Sequence, residues 1–91
     1  MFANFLLGSL HITAAAKAAL GRMPLDLIAR HAINDHGNLY PREVRTNRTG
    51  MRECGRIVSR FPVDPFDKSQ GNVLVITSRS WDETVVQLES E

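Results

Sequence analysis

The sequence predicts one α+β domain: an N-terminal strand or lead-in segment, two to three short helices, and a C-terminal three-stranded antiparallel β-meander. Two observations lead to this order. Helix caps and apolar residues at 3.6-residue spacing lie before residue 55, whereas runs of β-branched residues lie after it. A chain of 91 residues has room for one hydrophobic core. We therefore expect residues 1–91 to form a single domain.

The apolar segment from Phe2 to Leu10 predicts the first strand or lead-in segment, ending near Gly8 or Ser9. It lacks a basic stretch and is too short to cross a bilayer, so we expect neither a signal peptide nor a membrane protein. The single cysteine, Cys54, excludes an internal disulfide and a cysteine-based zinc site. These features favour a cytoplasmic protein without a cofactor.

Two helices are indicated before residue 38. The first is capped by Thr13, whose hydroxyl can accept a first-turn N–H, and it stops at Gly21. The second starts at Pro24, which suits a first helical turn, and Gly37 is predicted to end it in a left-handed conformation. Leu25, Ile28 and Ala32 mark the predicted apolar face of the second helix, with Leu27 and His31 beside them.

A third helix is predicted from Pro41 to Cys54, with Gly55 as its stop. Its lower propensity comes from two threonines and a glycine. The spacing predicts an interior face of Val44, Asn47, Met51 and Cys54.

Three strands are predicted at 56–63, 73–78 and 84–88. The run from Val73 to Ser78 has no polar face, so it is expected to be the central strand, covered on both sides. The links between the three strands are short, which favours antiparallel neighbours. The helix from Pro24 is expected to pack on the central strand.

Among candidate polar sites, His31 and Asp35 lie four residues apart and can share a helix face, with His36 adjacent. Together with His11 they have the residue types of a metal site or a proton relay. His31 also lies near the predicted apolar face, where a hydrogen-bonded core histidine is the commoner finding. Asn47 is expected to bridge backbone groups in the interior.

The strongest surface feature is a strip of arginines between residues 42 and 60, followed by an acidic tail. Such a strip can contact phosphates or an acidic protein surface. No aromatic residue interleaves with it, so it offers no platform for stacked bases. Trp81 and Phe66, at predicted loop positions, would anchor a partner if they are exposed. The arginines predicted to bind a partner are Arg45, Arg48, Arg52, Arg56 and Arg60, with Arg42 beside them.

No catalytic residue is predicted. The sequence contains no Gly-x-Ser-x-Gly elbow and no phosphate-binding glycine loop. Cys54 is expected to be a small buried hydrophobe, because its neighbours Glu53 and Gly55 would not lower its pKa.

Five segments of the sequence form a set: Pro24–His31, Asp35-x-Gly37, Asn47, Gly55–Ser59 and Val75–Thr77. As a set they resemble a family of small bacterial, plasmid and phage proteins, which often carry labels such as plasmid-related protein or type I restriction endonuclease subunit M. His36 stands where that family usually has tryptophan, and Ser78-Arg79 replaces its acidic-arginine pair. A chain of this length has no room for the cofactor-binding sheet of a methyltransferase, so the resemblance implies a setting and no catalytic mechanism.

Small proteins from that setting are often inhibitors of host defence, including anti-CRISPR and antirestriction proteins. The leading hypothesis is therefore a non-enzymatic interaction module that inhibits a host protein or nucleoprotein complex, such as a CRISPR–Cas complex. One alternative is a nucleic-acid-binding accessory protein that uses the arginine strip. A further alternative is a small metal-dependent enzyme that uses His31, Asp35 and His36. A homodimer, formed through an edge strand or the N-terminal segment, is also open.

Overall fold

Three α-helices and a four-stranded sheet make up residues 5–91, the part of the chain that the computed structural model describes. The α+β class is confirmed. Within this part, no helix has the length and apolar character needed to cross a membrane. In chain order the elements are β1 (Ser9–Ile12), α1 (Ala14–Leu20), α2 (Leu25–Ala32), α3 (Pro41–Glu53), β2 (Ile57–Pro62), β3 (Asn72–Thr77) and β4 (Glu83–Leu88).

The sheet has the strand order β1-β4-β3-β2. Strands β2, β3 and β4 are antiparallel neighbours, as predicted from their short links. Strand β1 lies beside β4 and runs parallel to it, with Leu10 opposite Thr84. The predicted three-stranded antiparallel meander is therefore part of a larger, mixed sheet, which a fourth, parallel strand completes.

The first strand also starts later than predicted. Phe2 lies outside the described residues, and the predicted strand residues Phe5 and Leu6 precede β1. Phe5 is buried, whereas Leu6 is 70% exposed. Residues 5–7 therefore supply a buried aromatic ring to the fold without joining the sheet.

One face of the sheet is covered by α1 and α2, and the apolar core lies between these layers. Strand β3 is an inner strand, as predicted, and α2 packs on it and on β2. Its burial alternates, however: Val73, Val75 and Thr77 are buried, and the residues between them are half-buried. The predicted cover on both faces of this strand is wrong. The core comprises Ala16, Leu27, Ile28, Phe61, Val73, Val75 and Val86.

The helix caps follow the prediction for α1 and depart from it for α2. The Thr13 hydroxyl accepts from Ala16 N–H at 3.1 Å, and Gly21 ends the helix. Helix α2 ends at Ala32, well before Gly37. Gly37 has a φ of +69° and lies so close to β2 that a Cβ there would stand 2.1 Å from the Arg60 carbonyl oxygen. Leu25, predicted to be in the interior, is 65% exposed.

Candidate functional site

Helix α3 carries most of the predicted partner-binding residues, and Asn47 fixes it against β2. The Asn47 side-chain amide donates to the Val58 carbonyl at 2.8 Å and accepts from the Val58 N–H at 2.9 Å. This is the predicted bridge from a buried asparagine to backbone groups. Since β2 is an edge strand, the contact also occupies backbone groups that would otherwise be unpaired at the edge.

Fewer side chains of α3 face the interior than the helical spacing predicted. Asn47 and Gly50 are the buried residues of the helix, and Val44 is 43% exposed. Gly50 allows the close approach, because a Cβ there would lie 2.5 Å from the Arg56 carbonyl oxygen. Cys54 is exposed and caps the helix in a left-handed conformation, so its predicted burial is wrong.

Arg60 is not part of an exposed strip. It is 6% exposed, and its guanidinium donates to both carboxylate oxygens of Glu43 and, at 2.7 Å, to Glu89. It also lies 4.4 Å from the centre of the Tyr40 ring. Because β2 turns alternate side chains to opposite faces, Arg60 points away from the face that carries the core residue Phe61. On that opposite face it is covered by Glu43, Glu89 and Tyr40. Its predicted role in partner binding is therefore replaced by a structural one, which ties α3 to β2 and the C-terminal segment.

The ion pairs around Arg60 lower the pKa of both carboxyl groups. The Arg60 hydrogen bonds hold the pKa of Glu43 below its ordinary value. For Glu89, the hydrogen bond from Asn72 is the largest cause of the lowered pKa, and Arg60 adds to it. Both carboxylates are therefore ionised at neutral pH, and they neutralise Arg60.

The remaining arginines of the predicted strip, and Arg79 near them, have no such partners. Among residues 5–91, no carboxylate lies at salt-bridge distance from any of six arginines on and beside α3. The acidic tail neutralises Arg60 through Glu89 and leaves these six free. They are divided between the two flanks of the helix. The six are Arg42, Arg45, Arg48, Arg52, Arg56 and Arg79.

On one flank of α3 lies an open groove of about 960 Å³, which we call the basic groove. Four of the free arginines line it, and Glu53 is the one acidic residue among its lining side chains. The lining residues are Arg42, Arg45, Thr46, Thr49, Gly50, Glu53, Gly55, Arg56 and Arg79.

The turn between β3 and β4 brings Arg79 to this groove. Ser80 N–H donates to the Cys54 carbonyl at 2.7 Å, and Trp81 Nε1–H donates to the Gly55 carbonyl at 2.9 Å. The Trp81 ring also packs against Phe5, with 5.7 Å between ring centres. Trp81 was predicted to bind a partner if it is exposed. The residue is half-buried, and its contacts hold the turn in place. Phe66 is 98% exposed.

The opposite flank holds a second open groove of about 590 Å³, the apolar groove. Val44, Leu39 and Met51 supply its apolar surface, and Arg48 and Arg52 lie beside them. The two grooves share none of the lining residues that the structure describes, so the predicted arginine strip is two surfaces of different chemistry. Asn34, His36, Gly37 and Asn47 complete the lining.

His31 is a fully buried core histidine. Its Nδ1 lies 2.6 Å from Ser59 Oγ, and its Nε2 lies 2.9 Å from Thr77 Oγ1. Burial lowers the pKa of His31 to about 3, so the ring is neutral at physiological pH.

The hydrogen-bond partners fix which nitrogen of His31 carries the proton. The Leu7 carbonyl can only accept, so Thr84 donates to it at 2.7 Å and must accept from Thr77. The Thr77 hydroxyl oxygen then accepts from His31, which places the proton on Nε2. Nδ1 is left as the acceptor for the Ser59 hydroxyl.

His36 lies at the surface end of this chain of hydrogen bonds. Its Nδ1 is 2.7 Å from Ser59 Oγ, and because Ser59 donates to His31, His36 must donate there. Its Nε2 is 3.2 Å from Asn34 Oδ1. Burial lowers the pKa of His36 as well. Since Ser59 is fully buried and its proton is used internally, it has no access to a substrate.

The residues considered for a metal site do not converge. Asp35 is exposed and pairs with Arg30 at 2.7 Å, and both nitrogens of His31 are occupied. His11 is on β1, 3.7 Å from Glu83. Within the described part of the chain, no group of three or more histidine, cysteine, aspartate or glutamate residues is placed to hold a metal ion.

Arg79 is the functional candidate that the sequence analysis did not include. The pairing of Ile57 with Thr77 puts the start of β2 beside the end of β3, so Arg56 and Arg79 are neighbours. The antiparallel pairing predicted for these two strands already implied that Arg79 would lie near Arg56.

No family model matches the chain, and no curated protein and no solved structure matches it significantly.

Proposed function

We propose that this protein is a non-enzymatic interaction module that binds a partner protein through the apolar groove of α3. The observation that carries the proposal is the combination of Val44 and Met51 with Arg48 and Arg52 on one flank of a rigidly held helix. Methionine and arginine are enriched in protein interfaces, where a desolvated apolar centre is surrounded by polar contacts. The partner that fits has an apolar side chain flanked by carboxylates.

The resemblance to small plasmid and phage proteins supports a more specific proposal. We propose that the partner belongs to a host defence complex, such as a CRISPR–Cas complex, and that binding inhibits it. Inhibition by surface occlusion needs no catalytic residue, which agrees with the interior role of Ser59 and His31.

The first experiment compares captured host proteins across three immobilised baits. The wild-type chain should retain a host complex that the variant Val44→Glu/Met51→Glu does not retain. The matched control is Leu25→Glu/Ile33→Glu, which places the same charges on two exposed apolar residues of α2 and its C-terminal end. The control should behave like the wild type. Retention of the same proteins by all three baits would contradict a partner site in the apolar groove.

Inhibition is tested by transformation of a targeted plasmid into bacteria with an active defence system. Expression of the wild-type chain should raise the number of transformants, and Val44→Glu/Met51→Glu should abolish that rise. If the two chains raise it equally, inhibition does not depend on this surface.

A further inference from the structure

We propose that the basic groove is a second binding site, which takes the phosphate backbone of duplex nucleic acid. It lies on the flank of α3 opposite the apolar groove, and it does not depend on the partner proposed above. The two sites can therefore be tested, and can fail, separately.

The side chains that line the basic groove are suited to bind phosphate groups and less suited to bind a typical protein surface. Four guanidinium groups, each able to donate two parallel hydrogen bonds, face the groove together with the hydroxyl residues Thr46 and Thr49. No large apolar side chain from the described part of the chain lines it, whereas the centre of a protein interface is usually apolar. Glu53 is the single opposing charge in the lining.

The arginines of the groove come from three anchored segments. Arg42 and Arg45 lie one helical turn apart on α3, which Asn47 holds to Val58. Arg56 directly precedes β2, and Arg79 lies in the turn held by Ser80 and Trp81. Because each backbone is fixed by hydrogen bonds, less conformational entropy is lost when the guanidinium groups bind.

The contacts available favour a duplex and do not favour a particular base sequence. Among residues 5–91, no aromatic residue lines the groove, so these residues offer unpaired bases no ring on which to stack. Arginines that meet phosphates fix position along the backbone and carry no direct sequence information. We therefore expect binding that is independent of sequence and strongly dependent on salt.

The test measures fluorescence anisotropy of a labelled short DNA duplex with the intact chain. The wild type should bind at low salt, with a log–log salt slope of about −3 to −4 if four phosphates are neutralised. Arg42→Glu/Arg56→Glu should weaken binding about tenfold or more. The matched control is Arg48→Glu/Arg52→Glu, which makes the same change in net charge on the other flank and should bind nearly as well as the wild type. Circular dichroism spectra should show that both variants remain folded.

Several results would overturn the proposal. One is the absence of duplex binding by the wild type at low salt. Another is equal weakening in both variants, which would indicate diffuse attraction to a positively charged protein. A third is competition by poly-L-glutamate as effective as unlabelled duplex at equal charge, which would assign the groove to acidic protein surfaces. Tighter binding to a single strand of the same length would exclude a duplex site.

Discussion

The side chain of Asn47 makes both of its hydrogen bonds to the backbone of a single residue, Val58, at 2.8 and 2.9 Å. One amide therefore fixes both the position and the rotation of α3 on the edge of the sheet. The rotation decides which helix residues face each flank. The separation of the basic groove from the apolar groove rests on this contact.

Replacement of Asn47 by alanine should destabilise the fold strongly. Both Val58 backbone groups would lose their partner in a buried position, which costs about 2 to 4 kcal/mol of unfolding free energy in total. Urea denaturation measures this change. Thr49→Ala, at an exposed position of the same helix, is the control and should change stability by about 0.5 kcal/mol or less. Equal stability of the two variants would show that the amide does not hold the helix.

Replacement of Gly50 by alanine should also destabilise the protein, although alanine has a higher helix propensity than glycine. Alanine is favoured over glycine in a helix by about 1 kcal/mol. The added Cβ would lie 2.5 Å from the Arg56 carbonyl oxygen and 2.8 Å from Ile57 Cδ1, so helix and strand would have to separate. A net loss of about 1 to 3 kcal/mol is expected in thermal or urea denaturation. A gain in stability would mean that α3 lies farther from β2 than the structure has it.

Arg60 should be coupled energetically to Glu43. Arg60→Met leaves two carboxylates without their counter-ion and should cost about 3 kcal/mol of unfolding free energy. Adding Glu43→Gln to that variant should restore part of the loss, because one uncompensated charge is removed. A double-mutant cycle by urea denaturation measures the coupling. Strictly additive losses would show that the pair contributes nothing beyond its separate parts.

Stability should fall as the pH is lowered below 6.5, the ordinary pKa of histidine. His31 is kept neutral in the folded chain with a pKa of about 3, so the unfolded chain binds the extra proton between these values. This lowers the unfolding free energy by up to about 1.4 kcal/mol per pH unit. The lowered pKa of His36 acts in the same direction.

Glu43 and Glu89 add to this loss only below about pH 4.5, their ordinary pKa, because protonation then removes the carboxylates that pair with Arg60. Urea denaturation between about pH 7 and pH 5 therefore measures the contribution of the histidines to the pH dependence of the unfolding free energy, without that of Glu43 and Glu89. The slope should be smaller in His31→Asn, which keeps a polar side chain without the titration. An unchanged slope would mean that His31 is not the group responsible.

Local sequence signals predicted much of the fold because the forces behind them are local. The Thr13 cap, the three helices and the antiparallel order of β2, β3 and β4 all depend on residues close together in the chain. The pairing of β1 with β4 does not. Leu10 and Thr84 are far apart in sequence, and no local pattern indicates that an N-terminal strand will join the far edge of the sheet in parallel.

The candidate site was predicted only in part, again because local patterns do not reveal contacts between distant segments. Helical spacing correctly indicated exposed arginines on α3, and the buried bridge of Asn47 was expected. Arg60 was misplaced because its partners Glu43 and Glu89 come from distant segments that only the folded chain brings together. The division into two grooves depends on the rotation of α3 about its axis. The bridge from Asn47 to Val58 fixes this rotation, and Gly50 leaves room for the close approach to β2.

Together, the two proposed sites suit a partner that combines protein and nucleic acid. A nucleoprotein complex offers an acidic, apolar protein segment for the apolar groove and a phosphate backbone for the basic groove. Helix α3 would then lie between the two components of its target.

The central claim is that a partner protein binds the apolar groove of α3, and chemical-shift mapping tests it most directly. The ¹⁵N-labelled chain is titrated with the partner that the wild-type bait captures. We predict that the largest shift changes fall in the segment from Asn34 to Leu39 and on Val44, Arg48 and Met51, with the exposed face of α1 unchanged. Changes confined to α1 or the 64–71 loop, with α3 unaffected, would contradict the account.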